Sequence, residues 1–185
     1  MKKTLLAILM SAASIAVTAN ATAATAASAE AKATYTAAND AASVDFKVAR
    51  AKCDSLTDNK KDVCIAEAKA ARTFVEANAK AQYKNTVGAR TTATKDIADA
   101  NYDVEKAKCG SQTGNAKDVC IKAAQVNKVA AVSNAKADKK VVEARTDAHD
   151  DKNTAEYKLA VEKCDSSTGA AKDACVAAAK KQFGK

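Results

Sequence analysis

Six cysteines in three identically spaced pairs are the feature that most limits how this chain can fold. Each pair lies in a motif of the form Lys-Cys-x-Ser-x-Thr-x-x-x-Lys-Asp-x-Cys, and the motifs occupy residues 52–64, 108–120 and 163–175. Six cysteines allow 15 pairings, and the recurrent spacing of 11 residues selects one of them. The predicted bridges are Cys53–Cys64, Cys109–Cys120 and Cys164–Cys175.

The centre of each motif is typical of a tight turn between two helices. Three residues lie where the position after a helix needs a positive φ: Asp58, Gly114 and Gly169. Asn59 and Asn115 come next and are predicted to cap the following helix, whereas Ala170 at the third turn predicts a more frayed last helix. The two cysteines of a motif then lie at similar heights on antiparallel helices, where a bridge can form.

The composition favours helices along the whole chain and a thin core between them. The 185 residues contain no proline and five glycines, and alanine and lysine, which are frequent, are strong helix formers. After residue 23 the only leucines are Leu56 and Leu159, and most of the hydrophobic content is alanine. Because alanine buries little area, the fold is predicted to depend on its covalent bridges.

The predicted fold class is all-α, with elongated antiparallel helical hairpins or an up-and-down bundle of about four helices, stapled by a disulfide at each turn.

An aromatic residue lies seven positions before the first cysteine of every motif, and it shares a helix face with that cysteine. These residues are Phe46, Tyr102 and Tyr157.

Two arrangements of the helices are compatible with this pattern. The first has four helices, of which the second and third run antiparallel over their whole length: 30–57, 59–113, 115–168 and 170–183. The second arrangement breaks the chain near Gly88 and near His149 and gives three separate hairpins. In both arrangements the protein is elongated, because few large apolar side chains are available to build a thick core.

Residues 1–23 have the pattern of a bacterial secretory signal peptide. Two lysines precede an uncharged apolar run at residues 5–17, which is shorter than the roughly 20 residues needed to span a bilayer. Small residues follow and predict cleavage after Ala21 or Ala23. Residues 24–185 are then the three-repeat helical domain, which is predicted to be periplasmic or secreted, where an oxidising environment favours the bridges.

The sequence shows no catalytic, metal-binding or nucleotide-binding pattern. Catalytic thiols usually form Cys-x-x-Cys pairs at a helix N-terminus, whereas ten residues separate the cysteines of each motif. A structural zinc site needs four ligands, and His149 is the only histidine. His149 with Asp150 and Asp151 could contact a cation weakly, although such a run more often forms a solvated helix face. The sequence therefore predicts a protein that is not an enzyme and has no cofactor and no small-molecule substrate.

Lysine occupies two fixed positions in every motif. The net charge of the chain is +8, and it becomes +6 without residues 1–23, which contain two lysines and no acidic residue. These lysines are candidate contacts for a polyanion or an acidic lipid surface. The alternative is that they solvate alanine-rich helices and complement the negative ends of helix dipoles. The six positions are Lys52, Lys61, Lys108, Lys117, Lys163 and Lys172.

The motif Lys-Cys-Asp-Ser, followed by Thr-Gly-x-x-Lys-Asp-x-Cys and an Ala/Lys-rich helix, resembles a group of small exported bacterial proteins, some of them labelled TolA-like or cell-envelope. The resemblance implies a place in the cell envelope and no particular activity. The function predicted from the sequence is a non-enzymatic exported spacer or interaction protein. The alternative is a protein that binds polyanions or membrane surfaces. The sequence does not identify the partner, which is an envelope protein or an acidic polymer or lipid surface.

Export with cleavage makes a direct prediction about the N-terminus. Intact-mass analysis of the protein recovered from the envelope fraction should give a chain that begins at Thr22 or Ala24. Leu6→Arg, which places a charge in the apolar run, should block export and leave the full-length precursor in the cytoplasm. Leu159→Arg, the same exchange outside the leader, should leave processing unchanged. An exported chain that retains residue 1 would contradict the prediction.

Overall fold

The computed structural model describes the backbone of residues 20–185 and the side chains of residues 28–185, so residues 1–19 of the predicted signal peptide lie outside the described part. All regular elements of residues 20–185 are helical, which confirms the predicted fold class. The five α-helices are α1 (Asn20–Lys52), α2 (Asp58–Lys84), α3 (Val87–Lys108), α4 (Gly114–Cys164) and α5 (Ala170–Phe183). Two short 3-10 helices, Cys53–Ser55 and Cys109–Ser111, continue α1 and α3.

Within the described residues the helices pack mainly on their neighbours in chain order. α1 contacts α2, α2 contacts α3, α3 contacts α4, and α4 contacts α5. Short connections between consecutive helices make each pair antiparallel. The fold is therefore a series of disulfide-stapled hairpins in which the first two disulfide turns lie at one end, and the turn between α2 and α3 lies at the other.

The helix predicted over 59–113 is in fact two helices, α2 and α3. Asn85 adopts the left-handed conformation, with φ 45° and ψ 39°, and its N–H donates to the carbonyl of Ala81. Thr86 then caps α3, because its hydroxyl accepts a hydrogen bond of 3.1 Å from the N–H of Ala89. A left-handed residue followed by a threonine cap ends one helix and begins the next within two residues. The arrangement with a break near Gly88 was correct here, and full-length pairing of the second and third helices was wrong.

α4, by contrast, is continuous over 51 residues, so the predicted break near His149 was wrong. At 1.5 Å per residue the helix is roughly 76 Å long. Counted from the preceding cysteine, the positions of Asn85 and Thr86 correspond to Val141 and Val142. Valine cannot cap a helix with its side chain and is strained in the left-handed region. The chain therefore folds back after the first repeat and runs straight on after the second.

The core is thin and consists almost entirely of alanine and cysteine. The fully buried side chains are those of Cys53, Cys109 and Cys164, the first cysteine of each motif. Alanine is buried four residues after the second cysteine of every motif: Ala68, Ala124 and Ala179. Small side chains of this kind let helix backbones approach closely, but each contact removes little apolar area from water.

The turns themselves correct two details of the sequence prediction. The positive φ is confirmed at Asp58, Gly114 and Gly169, with values of 51°, 55° and 58°. However, these residues lie at the start of the second helix and not directly after the first. A 3-10 helix or a bend and a threonine come between, and the threonine is extended at Thr57 and Thr113. The predicted caps Asn59 and Asn115 were therefore wrong, and both residues lie inside the first turn of α2 and α4.

Asn59 instead fastens the first disulfide turn to the second. In the amide orientation that satisfies both neighbouring groups, its side chain donates to the carbonyl of Ala107 at 2.7 Å and accepts from the N–H of Ser111 at 3.3 Å. Gly110 lies directly beside this amide, and a β-carbon at position 110 would overlap it. The first and third motifs have aspartate at the position of Gly110. The glycine of the second motif is thus explained by the space that Asn59 needs.

Two glycine substitutions with opposite expected effects test this contact. Gly110→Ala should lower the free energy of unfolding by about 1 kcal/mol, because the added methyl group displaces the Asn59 amide and its two hydrogen bonds are lost. Gly88→Ala should raise it by about 0.5–1 kcal/mol, since Gly88 lies within α3 with no atom near its missing side chain and alanine is the better helix former. Urea unfolding followed by circular dichroism measures both. A shift in the same direction for the two variants would contradict the assignment of Asn59.

Candidate functional site: the disulfide turns and the long helix

The three predicted disulfides are confirmed and have nearly the same geometry. The Cα–Cα distances are 5.6 Å for Cys53–Cys64, 5.8 Å for Cys109–Cys120 and 5.7 Å for Cys164–Cys175. These distances are usual for a disulfide. In each bridge the first cysteine is buried and the second is partly exposed, and all six cysteines are paired.

Each hairpin is also closed by a side-chain contact one heptad from its disulfide. The aromatic residue seven positions before the first cysteine meets the residue eight positions after the second cysteine. The guanidinium of Arg72 lies over the ring of Phe46, 5.5 Å from the ring centre. The Nζ of Lys128 lies over the ring of Tyr102, 5.1 Å from the ring centre. In the third hairpin Tyr157 packs edge-on against Phe183, with ring centres 6.3 Å apart. The sequence motif missed these partners because Arg, Lys and Phe share little except the ability to contact an aromatic ring.

Two of the lysines that are candidate polyanion contacts form ion pairs with an aspartate of the same turn. Nζ of Lys61 lies 3.5 Å from a carboxylate oxygen of Asp54, and Nζ of Lys172 lies 2.9 Å from one of Asp165. The two pairs occupy identical positions in the first and third motifs. In the second motif Gly110 replaces the aspartate, and Lys117 has no ion pair within the described residues.

The remaining lysines of the motifs are divided between the two ends of the molecule. Lys108 pairs with Glu67 of α2 at 3.6 Å, whereas Lys52 and Lys163 are exposed and form no ion pair among the described residues. Lys117 and Lys163 are both on α4, and their separation of 46 positions corresponds to roughly 70 Å of helix. The structure therefore does not bring the six lysines together into one basic surface.

Two charged groups have shifted pKa values that arise from these contacts. The guanidinium of Arg50 donates to Asp54 at 2.6 Å and, together with Lys61, lowers the pKa of the Asp54 carboxyl. The carboxylate of Asp99 lies 2.8 Å from Nζ of Lys128 and raises the pKa of that ammonium group. Both pairs are solvent-exposed, so they fix side-chain positions more than they stabilise the fold.

The concave surfaces of the described region are open grooves along the helix pairs. One groove, of about 650 Å³, lies between α1, α2 and α3 and carries charges of both signs, including Arg72, Glu76 and Asp103. A more apolar groove of about 340 Å³ lies at the other end of α1 and α2, where the rings of Tyr35 and Tyr83 stack at 5.1 Å. Neither groove was predicted from the sequence. The first needs α3, which meets α2 only after the chain folds back at Asn85, and the second depends on how α1 and α2 face each other far from their disulfide turn.

The central part of α4 is the most unusual surface of the molecule. α3 packs on the N-terminal part of α4 and α5 on its C-terminal part, and residues 140–152 between them are all exposed. Two ion pairs along the helix lie at the edges of this segment, Lys139 with Glu143 and Lys152 with Glu156. His149 is exposed and its Nδ1 lies 3.5 Å from a carboxylate oxygen of Asp150. In the described part of the chain, no group of three or more metal-ligating side chains comes together.

Comparison with known proteins identifies no relative: no family model, no curated protein and no solved structure matches this chain. Among residues 20–185, no helix is both long enough and apolar enough to cross a membrane. Three disulfides within one chain indicate an oxidising compartment. Any more specific function has to be inferred from the contacts described above.

The acid titration of Asp54 tests the ion pairs at the first turn. Arg50→Gln should raise the pKa of Asp54 toward the ordinary value of aspartate, because it removes the hydrogen bond that lowers the pKa most. Lys61→Gln should raise it less, since that ammonium group lies farther from the carboxylate. The contribution of this pair to stability is present above the ordinary aspartate pKa and is lost as the pH falls through the lowered one. Carbon-detected NMR titration measures the pKa, and an equal or larger shift for Lys61→Gln would contradict the assignment.

Proposed function

We propose that this protein is exported to the periplasm or the cell exterior and acts there as a helical spacer or interaction protein, without catalysing a reaction. The observation that carries the proposal is the continuous α4, which joins the first two repeats to the third hairpin across a segment that no other described helix covers. Its 51 residues give a rod roughly 76 Å long.

The construction of the two ends supports a spacer. Each end is a helical hairpin that is closed by a disulfide and, one heptad away, by an aromatic contact. The disulfide fixes the two helices against each other beside the turn, and the aromatic contact holds them together one heptad farther on, so the turn end of the hairpin should keep its shape when it is bound from one side. Partners bound to the two ends would therefore be held apart by a distance that the length of α4 sets.

The distribution of the turns supports an interaction role. The first two disulfide turns lie at one end of α4 and the third lies at the other, and all three present the same Lys-Cys-x-Ser sequence. Similar surfaces separated by a fixed distance suit binding to two neighbouring sites, because the second contact then forms at a high effective concentration. The resemblance to exported Ala/Lys-rich envelope proteins agrees with such a place in the cell envelope.

The alternative, binding to a polyanion or a membrane surface through the lysines, has weaker support. Lys61, Lys108 and Lys172 are already paired with acids of this chain, and the six lysines are divided between two distant ends. Phosphate-driven binding weakens steeply as salt is raised, so salt separates this alternative from a protein–protein contact.

Photo-crosslinking in intact cells tests the proposal. A photoreactive residue is placed at Lys117, at Lys172, or, as a control, at Thr146 on the uncovered part of α4. We expect adducts with envelope components at both turns, far fewer at Thr146, and adducts that resist a high-salt wash applied before illumination. A variant that lacks residues 143–149 keeps both hairpins but shortens α4 by roughly 10 Å, and it should lose adducts at one end.

Three outcomes would contradict the spacer proposal. The first is strong crosslinking at Thr146 with none at the turns. The second is unchanged crosslinking by the shortened variant. The third is adducts that consist of nucleic acid or lipid and disappear at high salt, which would establish the polyanion-binding alternative.

A further inference from the structure

The face of α4 that points away from α3 and α5 is apolar and exposed. The buried residues of α4 are Ala124, Ala135 and Cys164, which at about 100° per residue fall within roughly 40° of one another and define the packed face. Roughly opposite, small and aliphatic side chains recur at intervals of three and four residues over about 50 Å, and the stripe that they form is interrupted only between Ala148 and Ala155, where Asp151 and Lys152 occur. Val126, Val141 and Leu159 of this stripe have exposed fractions of 65%, 49% and 56%.

The same kind of surface is covered elsewhere in this protein. The counterpart of Leu159 in the second repeat is Val104, five residues before its cysteine, and Val104 is buried in a helix that lies between two neighbours. The helices of this chain pack on each other through alanine, as in the cluster of Ala77, Ala81 and Ala93. The stripe on α4 has the side chains that this chain uses for helix contacts, and no described helix lies on it.

We propose that the exposed stripe of α4 binds a second copy of this chain, with the two α4 helices antiparallel and a twofold axis between residues 142 and 143. In an antiparallel pair about that axis, residues at the same height have numbers that add up to 285, and those at the centre of the stripe meet. The apolar residues of the stripe then meet one another in pairs, each formed twice by symmetry: Val126 with Leu159, Ala130 with Ala155, Ala137 with Ala148, and Val141 with Ala144.

Charge complementarity favours this occupant. The part of α4 before the axis is basic at Lys136, Lys139 and Lys140, and the part after it is acidic at Asp147, Asp150 and Asp151. Antiparallel pairing brings the basic half of each copy against the acidic half of the other. Residues at the edges of the stripe approach residues on the same flank of the second copy, not those at the same height. Lys140 would lie within two positions, or roughly 3 Å along the axis, of Asp147 of the second copy. Asp138 would lie equally close to Arg145, so both flanks carry opposite charges.

Other occupants fit less well. A parallel pair would place Lys140 beside its own equivalent and Asp147 beside its own, and like charges across an interface oppose binding. An anionic lipid surface would meet Asp151 at one edge of the stripe and Lys152 at the other, and the test below distinguishes it from a second copy. Because α3 and α5 lie on the opposite face of α4, they do not obstruct the second copy.

The proposal concerns the protein by itself and is independent of the spacer function. Analytical ultracentrifugation of the natively processed, oxidised protein should show a reversible dimer. Val141→Lys places a charge at the centre of the stripe and should weaken the dimer at least about tenfold. Thr146→Lys adds the same charge to the same uncovered segment, but on the face toward α3 and α5, and should leave the dimer unchanged. Both variants should keep the helical content of the parent protein.

A charge exchange tests the orientation. Asp147→Lys should weaken the dimer, and adding Lys140→Asp to the same chain should restore it, because the exchanged charges again face each other.

The register is tested by oxidising a mixture of two variants, each carrying one introduced cysteine. Ala137→Cys and Ala148→Cys should cross-link to each other efficiently. The mixture of Ala130→Cys and Ala148→Cys, displaced by seven residues or roughly 10 Å, should not.

Several results would overturn the proposal. They are a monomer at every accessible concentration, equal weakening by Val141→Lys and Thr146→Lys, no recovery in the charge-exchanged variant, or cross-linking that prefers the displaced mixture. A monomer that binds vesicles of anionic phospholipid through the stripe, with binding lost in Val141→Asp, would assign the face to a membrane instead.

Discussion

The local disulfide at each turn is the constraint on which the rest of the structure depends. Closing each of the three short loops stabilises the folded chain by roughly 3 kcal/mol in the chain-entropy account, and the three together are comparable with the whole stability of an ordinary domain, about 5–15 kcal/mol. A core in which the largest fully buried side chains are cysteines contributes little apolar burial. The bridges hold pairs of helices in contact, and alanine then lets those helices approach closely.

The shape of the molecule is decided by two positions between the repeats. Asn85 and Thr86 end α2, begin α3 and fold the chain back, so that Asn59 can fasten the first turn to the second over Gly110. Val141 and Val142, at the same distance from their cysteine, let α4 continue. Because α4 does not fold back, the third hairpin lies at its far end and does not pack on the first two. The uncovered segment and the apolar stripe of α4 therefore have no partner among the described helices.

The spacer function and the antiparallel dimer are compatible. The dimer would cover the stripe on one face of α4, while the turns at its ends would remain free to contact other components. Pairing two copies would also support the segment at residues 140–152, which otherwise depends on its own backbone hydrogen bonds and a few ion pairs. A paired rod is stiffer than a single helix, and stiffness is what a spacer requires.

The sequence by itself determined the helical class, the three bridges and the positive φ at each turn, because each of these depends on residues that lie within about a dozen positions of one another. It did not determine where Asn59 binds, which partners Phe46, Tyr102 and Tyr157 contact, or that half of the motif lysines pair with acids. Nor did it decide between a break and a continuous helix at Asn85 and at His149, since an asparagine is tolerated in a helix unless capping and packing favour ending it. The contact of Asn59 and the pair of Lys108 with Glu67 depend on which helices meet after the chain has folded back at Asn85. The aromatic contacts and the other lysine pairs depend on which side chains of one hairpin face each other, and only the tertiary structure decides that.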